Sequence, residues 1–106
     1  MKVEISEQIS QTRRKISELN ILKYGVIDER SCLANELDTI NMEITYSDIF
    51  HPFYENISLN KKKSELIKRL SKNHDDLREI LEEQEILYCL LYNLYSNLNE
   101  HNSYND

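Results

Sequence analysis

Residues 5–44 read ISEQISQTRRKISELNILKYGVIDERSCLANELDTINMEI, and their spacing decides the fold. Every seventh residue from Ile9 gives Ile16, Lys23, Arg30, Leu37 and Ile44, and a second row runs Thr12, Leu19, Val26, Leu33 and Ile40. On a helix these two rows merge into one apolar stripe. Arg13, Asn20, Ile27, Ala34 and Asn41 flank it, so Arg13, Asn20, Lys23, Arg30 and Asn41 lie on or beside the face that should be buried. Polar groups on a packing seam need a reason, because burying them unpaired is costly. The helix is expected to start near Ser6, whose side chain can cap it, with Glu7 favourable to its N-terminal dipole. It should run for roughly forty residues, about 60 Å, and Gly25 inside it costs roughly 1 kcal/mol relative to alanine. Such a helix cannot bury its seam against itself. It needs the rest of the chain, another copy, or both.

The composition agrees with helices. A chain of 106 residues is expected to be one domain over 1–106, with 40% hydrophobic and 30% charged residues and only one Gly and one Pro to build turns. The formal charge of −6 opposes a phosphate-binding surface, so no nucleic-acid partner is expected. Cys32 and Cys89 lie far apart without metal-ligand spacing, which suggests a reduced, cytoplasmic chain. His51, His74 and His101 lack the company of a metal site, so neither metal nor cofactor is expected. No apolar run reaches membrane-spanning length, and no membrane partner is expected.

Downstream, Thr45 to Pro52 breaks the pattern, and Pro52 biases His51 toward an extended conformation. Residues 55–71 then carry Leu59, Leu66, Ile67 and Leu70 at helical spacing, which predicts a short second helix; Lys61 to Lys63 read as its solvated face. Lys72, Asn73 and His74 read as a tight connection, with Asp75 or Asp76 capping a third, medium helix. Its stripe would be Leu77, Ile80, Leu81, Leu87, Tyr88, Leu91, Leu94, Tyr95 and Leu98. Gln84 interrupts that stripe, either as a buried registry device or as a pocket residue. Tyr88, Tyr92 and Tyr95 read as core or seam, and residues 99–106 as a frayed, Asn-rich tail.

Arg13 and Arg30 are seventeen residues apart, about 25 Å on a straight helix. One small metabolite cannot touch both. Two antiparallel copies would bring Arg13 of one beside Arg30 of the other, which points to a homodimer with shared pockets. The alternative is that both arginines reach past the seam to solvent or pair with a glutamate.

Two patches carry a resemblance. Arg13-Arg-Lys-Ile-Ser-Glu-Leu-Asn20, then Glu29-Arg30 and Leu33-Ala34, resemble the first helix of the all-helical (type II) chorismate mutases. His51-Pro52-Phe53-Tyr54-Glu55 resembles that family's entry into its second helix. The resemblance implies an all-α chain of three helices, one long, one short and one medium, in an intertwined homodimer. It implies an isomerase that rearranges chorismate to prephenate, a step of aromatic amino acid biosynthesis in the shikimate pathway. Catalysis there selects a compact conformer of a dicarboxylate and stabilises a polarised transition state electrostatically, without a cofactor. By position, Arg13 of the partner subunit and Arg30 would hold carboxylates, and Glu55 would take the ring hydroxyl. Asn41 stands where the family has a lysine, Tyr54 where it has an arginine and His51 where it has an aspartate. Tyr95 or Asn99 occupies the region of its late glutamine. Two further readings stay open: a relative with altered substrate, such as an aminodeoxychorismate mutase or an isochorismate pyruvate lyase, and a non-catalytic helical interaction or assembly protein.

Overall fold

A computed structural model describes residues 2–53 and 55–105, with side chains described for 3–53 and 55–100. It contains two α-helices, α1 (Lys2–Phe50) and α2 (Ile57–Asn105). The chain divides into two compact units, one formed by the residues up to Tyr24 with those from Arg78 onward, the other by Gly25–Leu77.

Within the second unit, the stretches of α1 and α2 run antiparallel from the connection between Phe50 and Ile57. The amide of His51 donates to the Ser47 carbonyl at 2.7 Å, which ends α1, and Pro52 prevents its continuation. Asn56 opens α2, because its carbonyl accepts the first helical bond from the Asn60 amide at 2.9 Å. The Asn56 side chain is buried and accepts from the Ser47 hydroxyl at 3.2 Å, which ties the two helix ends together. Leu33, only 1% exposed, and Leu66 are the buried apolar centre of this unit. Val26, Leu37, Ile40, Ile44, Leu59, Leu70 and Leu77 are half-buried along the same seam.

In the first unit, Ile16 and Leu19 of α1 and Leu87 of α2 form the core, and Ile80 and Leu91 pack against it. Ile9 and Leu94 are buried further along. Thr12, also buried, turns its hydroxyl back to the Gln8 carbonyl at 2.7 Å, so this polar seam position is satisfied inside its own helix.

The seam of α1 therefore follows the two rows expected from the sequence, while the architecture does not follow the three helices. A three-helix chain of the intertwined type is corrected to a two-helix one, because α2 runs unbroken through Lys72, Asn73 and His74. The reason lies in the rows themselves. Leu59, Leu66, Asn73, Ile80, Leu87 and Leu94 keep a strict seven-residue step, as do Lys63, Leu70, Leu77, Gln84, Leu91 and Leu98. No glycine or proline interrupts them, and Asn73 is only 2% exposed. Asn73 is a polar residue of the seam whose neighbours imitate a loop in local composition. The helices also extend beyond the expected limits, from Lys2 rather than Ser6 and on to Asn105.

Gly25 sits inside α1 with an ordinary helical backbone, and a Cβ added there would meet nothing within 4 Å. Gly25→Ala should therefore raise stability by about 0.5–1 kcal/mol, a melting-point gain of a few degrees. Leu33→Ala should cost about 2–5 kcal/mol. Thermal and urea unfolding followed by circular dichroism checks both, and a Gly25→Ala chain that melts lower contradicts the packing described.

Candidate functional site

Apart from the Ser47–Asn56 bond beside the turn, the polar residues of the seam form one bridge in each unit among the described residues. In the unit of residues 25–77, Asn73 reaches across from α2. Its amide nitrogen donates to the Val26 carbonyl at 2.8 Å, and its amide oxygen accepts from Arg30 Nε at 3.1 Å. Helical bonding already directs the Arg30 amide to the same Val26 carbonyl, so Asn73 clasps one turn of α1 at both ends. Arg30 also places Nη2 3.3 Å from His74 Nδ1, where an unprotonated ring nitrogen accepts. Its guanidinium is thus engaged by α2 on two sides. In the other unit, the buried Gln84 donates through Nε2 to Asn20 Oδ1 at 2.7 Å. Gln84, read either as a buried registry device or as a pocket residue, thus bonds across the seam and also borders an open groove of α2. Both bridges satisfy polar groups that would otherwise cost about 1–3 kcal/mol each if left unpaired.

The residues assigned to a dicarboxylate site fall as follows. Arg30 is half-buried at the Asn73 bridge, and Arg13 is exposed on α1 in the other unit. Asn41 is half-buried and lines an open groove along the outer face of α1 with Asp38, Met42, Thr45 and Tyr46. Its carbonyl accepts from the Thr45 hydroxyl at 2.9 Å. Glu55 is exposed in the turn, and Asn99 is exposed near the end of α2. Tyr54 lies outside the described residues, and the His101 side chain does too. Within the second unit, the Ser47 contact to Asn56 puts Glu55 near the level of Ser47, which is seventeen residues along α1 from Arg30. At the helical rise that is about 25 Å. One chain does not bring Arg30 and Glu55 to a common small ligand. Among the described residues, no group of His, Cys, Asp and Glu is placed to hold a metal ion.

Sequence reasoning missed the more prominent surface. Tyr88, Tyr92 and Tyr95, expected in the core or seam, are exposed, as is Leu81. Leu81, Tyr88 and Tyr95 form a third seven-residue row on α2, beside the Leu77, Gln84, Leu91 and Leu98 row and one step outside it. Together with Tyr92, Glu85 and Cys89, residues of this row line an open, mainly apolar groove. The expected stripe was wide because it merged this row with the seam. The signal was present in the charge pattern: between Glu85 and Glu100 the chain has no charged residue on any face. Ile86 and Leu90 are exposed on the opposite side of the same stretch. An uncharged stretch with exposed apolar side chains on two sides of its seam, its polar face reduced to Asn93, Ser96, Asn97 and Asn99, suits contact with protein beyond α1.

The Asn73 bridge gives a direct test. Asn73→Ala should destabilise the chain by about 1–3 kcal/mol, since Arg30 loses an acceptor in a partly buried seam. The double variant Arg30→Leu/Asn73→Leu should recover that loss or exceed it, as apolar replacements of a buried polar pair often do. Unfolding in urea measures both, and a double variant less stable than Asn73→Ala would show that the bridge itself supplies net stability. Comparison with protein-family models, curated proteins and solved structures gave no match.

Proposed function

We propose that this chain is a non-catalytic helical interaction or assembly protein, whose helix pair offers the Leu81, Tyr88, Tyr92 and Tyr95 face of α2 to another protein surface. One observation carries the reading: this charge-free stretch of α2 uses only Leu87, Leu91, Leu94 and Leu98 on its own seam and leaves its tyrosines exposed. Tyrosine suits such a face, because each ring offers a large rigid contact area with a hydroxyl that tolerates water until docking. Exposed apolar rows of this kind mark interaction surfaces more often than they serve a free monomer. A cytoplasmic setting goes with the proposal, since Cys32 and Cys89 are both exposed and unpaired. No helix among the described residues is long and apolar enough to cross a membrane.

The competing proposal is the isomerase implied by the resemblance, with Arg13, Arg30 and Glu55 as substrate contacts, or its relatives acting on another dicarboxylate. The two are separated by incubating the purified chain with chorismate, following its absorbance and identifying products. The expected result is no rearrangement above the uncatalysed rate, and an Arg30→Ala variant that loses stability through the Asn73 bridge. Prephenate formation that disappears in a still-helical Arg30→Ala chain would overturn the interaction reading.

A further inference from the structure

We propose that the partner at this face is a second copy of the chain, docked antiparallel with a two-fold axis at Tyr88. The inference rests on the interaction reading and names its partner.

The row is symmetric in the way an isologous contact requires. Leu81 and Tyr95 stand seven residues to either side of Tyr88. When two α2 helices cross antiparallel at Tyr88, Tyr88 meets Tyr88 and each Leu81 meets Tyr95 of the other copy. Tyr92 comes level with Glu85 of the second copy to within one residue, so its hydroxyl can donate to that carboxylate.

The charges select the same arrangement. Glu79, Glu82, Glu83 and Glu85 crowd one half of this segment, and the other half, through Asn99, has none. A parallel pairing would set the acidic halves side by side. The antiparallel one lays each acidic half against the uncharged half of the other copy. A cation is also at the right height. The bond between Asn20 and Gln84 fixes their level, and one heptad back along α1 places Arg13 level with Leu91. Arg13 belongs to the same flanking row as Asn20 and is exposed. Under the Tyr88 axis, Glu85 of the second copy also comes level with Leu91. Arg13 of each copy thus faces Glu85 of the other across the contact.

The area is of the right order once flanking residues join. Leu81, Tyr88, Tyr92 and Tyr95 are 48%, 52%, 73% and 39% exposed, which for side chains of this size is about 450 Å² per copy. Full burial on two copies gives about 900 Å², close to the roughly 1,000 Å² that a specific interface clears, and Glu85 and Arg13 lie beside it to add the rest.

Sedimentation velocity over a concentration series, with helicity checked by circular dichroism, tests the proposal. The unmodified chain is expected to dimerise. Tyr88→Glu, which sets two carboxylates at the axis and leaves the seam untouched, should raise the dimer Kd by at least about 100-fold. Arg13→Glu and Glu85→Arg should each weaken it by about tenfold, and the double variant should restore it. If Tyr88→Glu does not fold, the charge exchange decides alone. A chain monomeric at every concentration overturns the proposal, as does a dimer indifferent to Tyr88→Glu in a helical chain, or a double variant no better than its singles. The two readings fail separately. A monomer without chorismate turnover removes the second copy and leaves the interaction reading, whereas turnover lost in Arg30→Ala removes the interaction reading whatever the assembly state.

Discussion

Asn73 holds two atoms of α1 at once, the Val26 carbonyl and Arg30 Nε, and the register of its unit depends on that grip. Leucine and isoleucine dominate the rows around it, and such residues pack against one another at several heptad offsets with little loss. A slip of one heptad would keep most apolar pairings but set Lys23 or Leu37 in place of Arg30 beside Asn73, and leave Arg30 without its clasp. The unpaired groups, not the lost apolar contact, make the slip costly. The bond between Gln84 and Asn20 plays the same part in the other unit. Each unit therefore has its own polar pin, and apolar burial supplies stability around it.

Once register is fixed, so is what remains outside. A partner helix covers about two rows of its neighbour, and in the first unit those are the rows of Ile80, Leu87 and Leu94 and of Gln84, Leu91 and Leu98. The row of Leu81, Tyr88 and Tyr95 lies one step around the helix, where α1 does not reach it. The flanking row of α1 on the equivalent side has Arg13 and Asn20, polar groups that water can satisfy. On this side of the first unit the two helices thus meet solvent unequally: α1 with Arg13 and Asn20, α2 with an apolar row.

The α1 seam could be read from the sequence because its heptads are regular and its polar intruders, Thr12, Lys23 and Arg30, keep the step. The same regularity was present in α2 but was broken into two helices at Lys72, Asn73 and His74, where local composition imitates a loop. Composition is a local signal and phase a long-range one; here phase was the stronger, since Asn73 keeps step with Leu66 and Ile80. The tyrosines were misplaced for a related reason. Period alone cannot separate a seam row from the row beside it, because both repeat every seven residues, and only knowing how many helices cover α2 tells them apart. The interior partners of Arg30 were equally hidden, since nothing local links it to a residue forty-three positions away.

The geometry also bears on which chemistry such a surface suits. Selecting one conformer of a flexible dicarboxylate requires several charged groups held a few ångströms apart in an enclosed site of low dielectric, where each is worth far more than in water. Here Arg30 already directs its guanidinium to Asn73 and His74, Glu55 stands about 25 Å along the helix pair from it, and Asn41 looks onto an open groove of α1. Docking a helix asks for less: a straight apolar row, a fixed register and charges at matching heights. In the first unit, the Asn20–Gln84 bond fixes the register and the Leu81, Tyr88 and Tyr95 row supplies the apolar face. In the first unit, the bond between Asn20 and Gln84 then bears on that surface indirectly, by holding this part of α2 in the register that leaves its tyrosines outward.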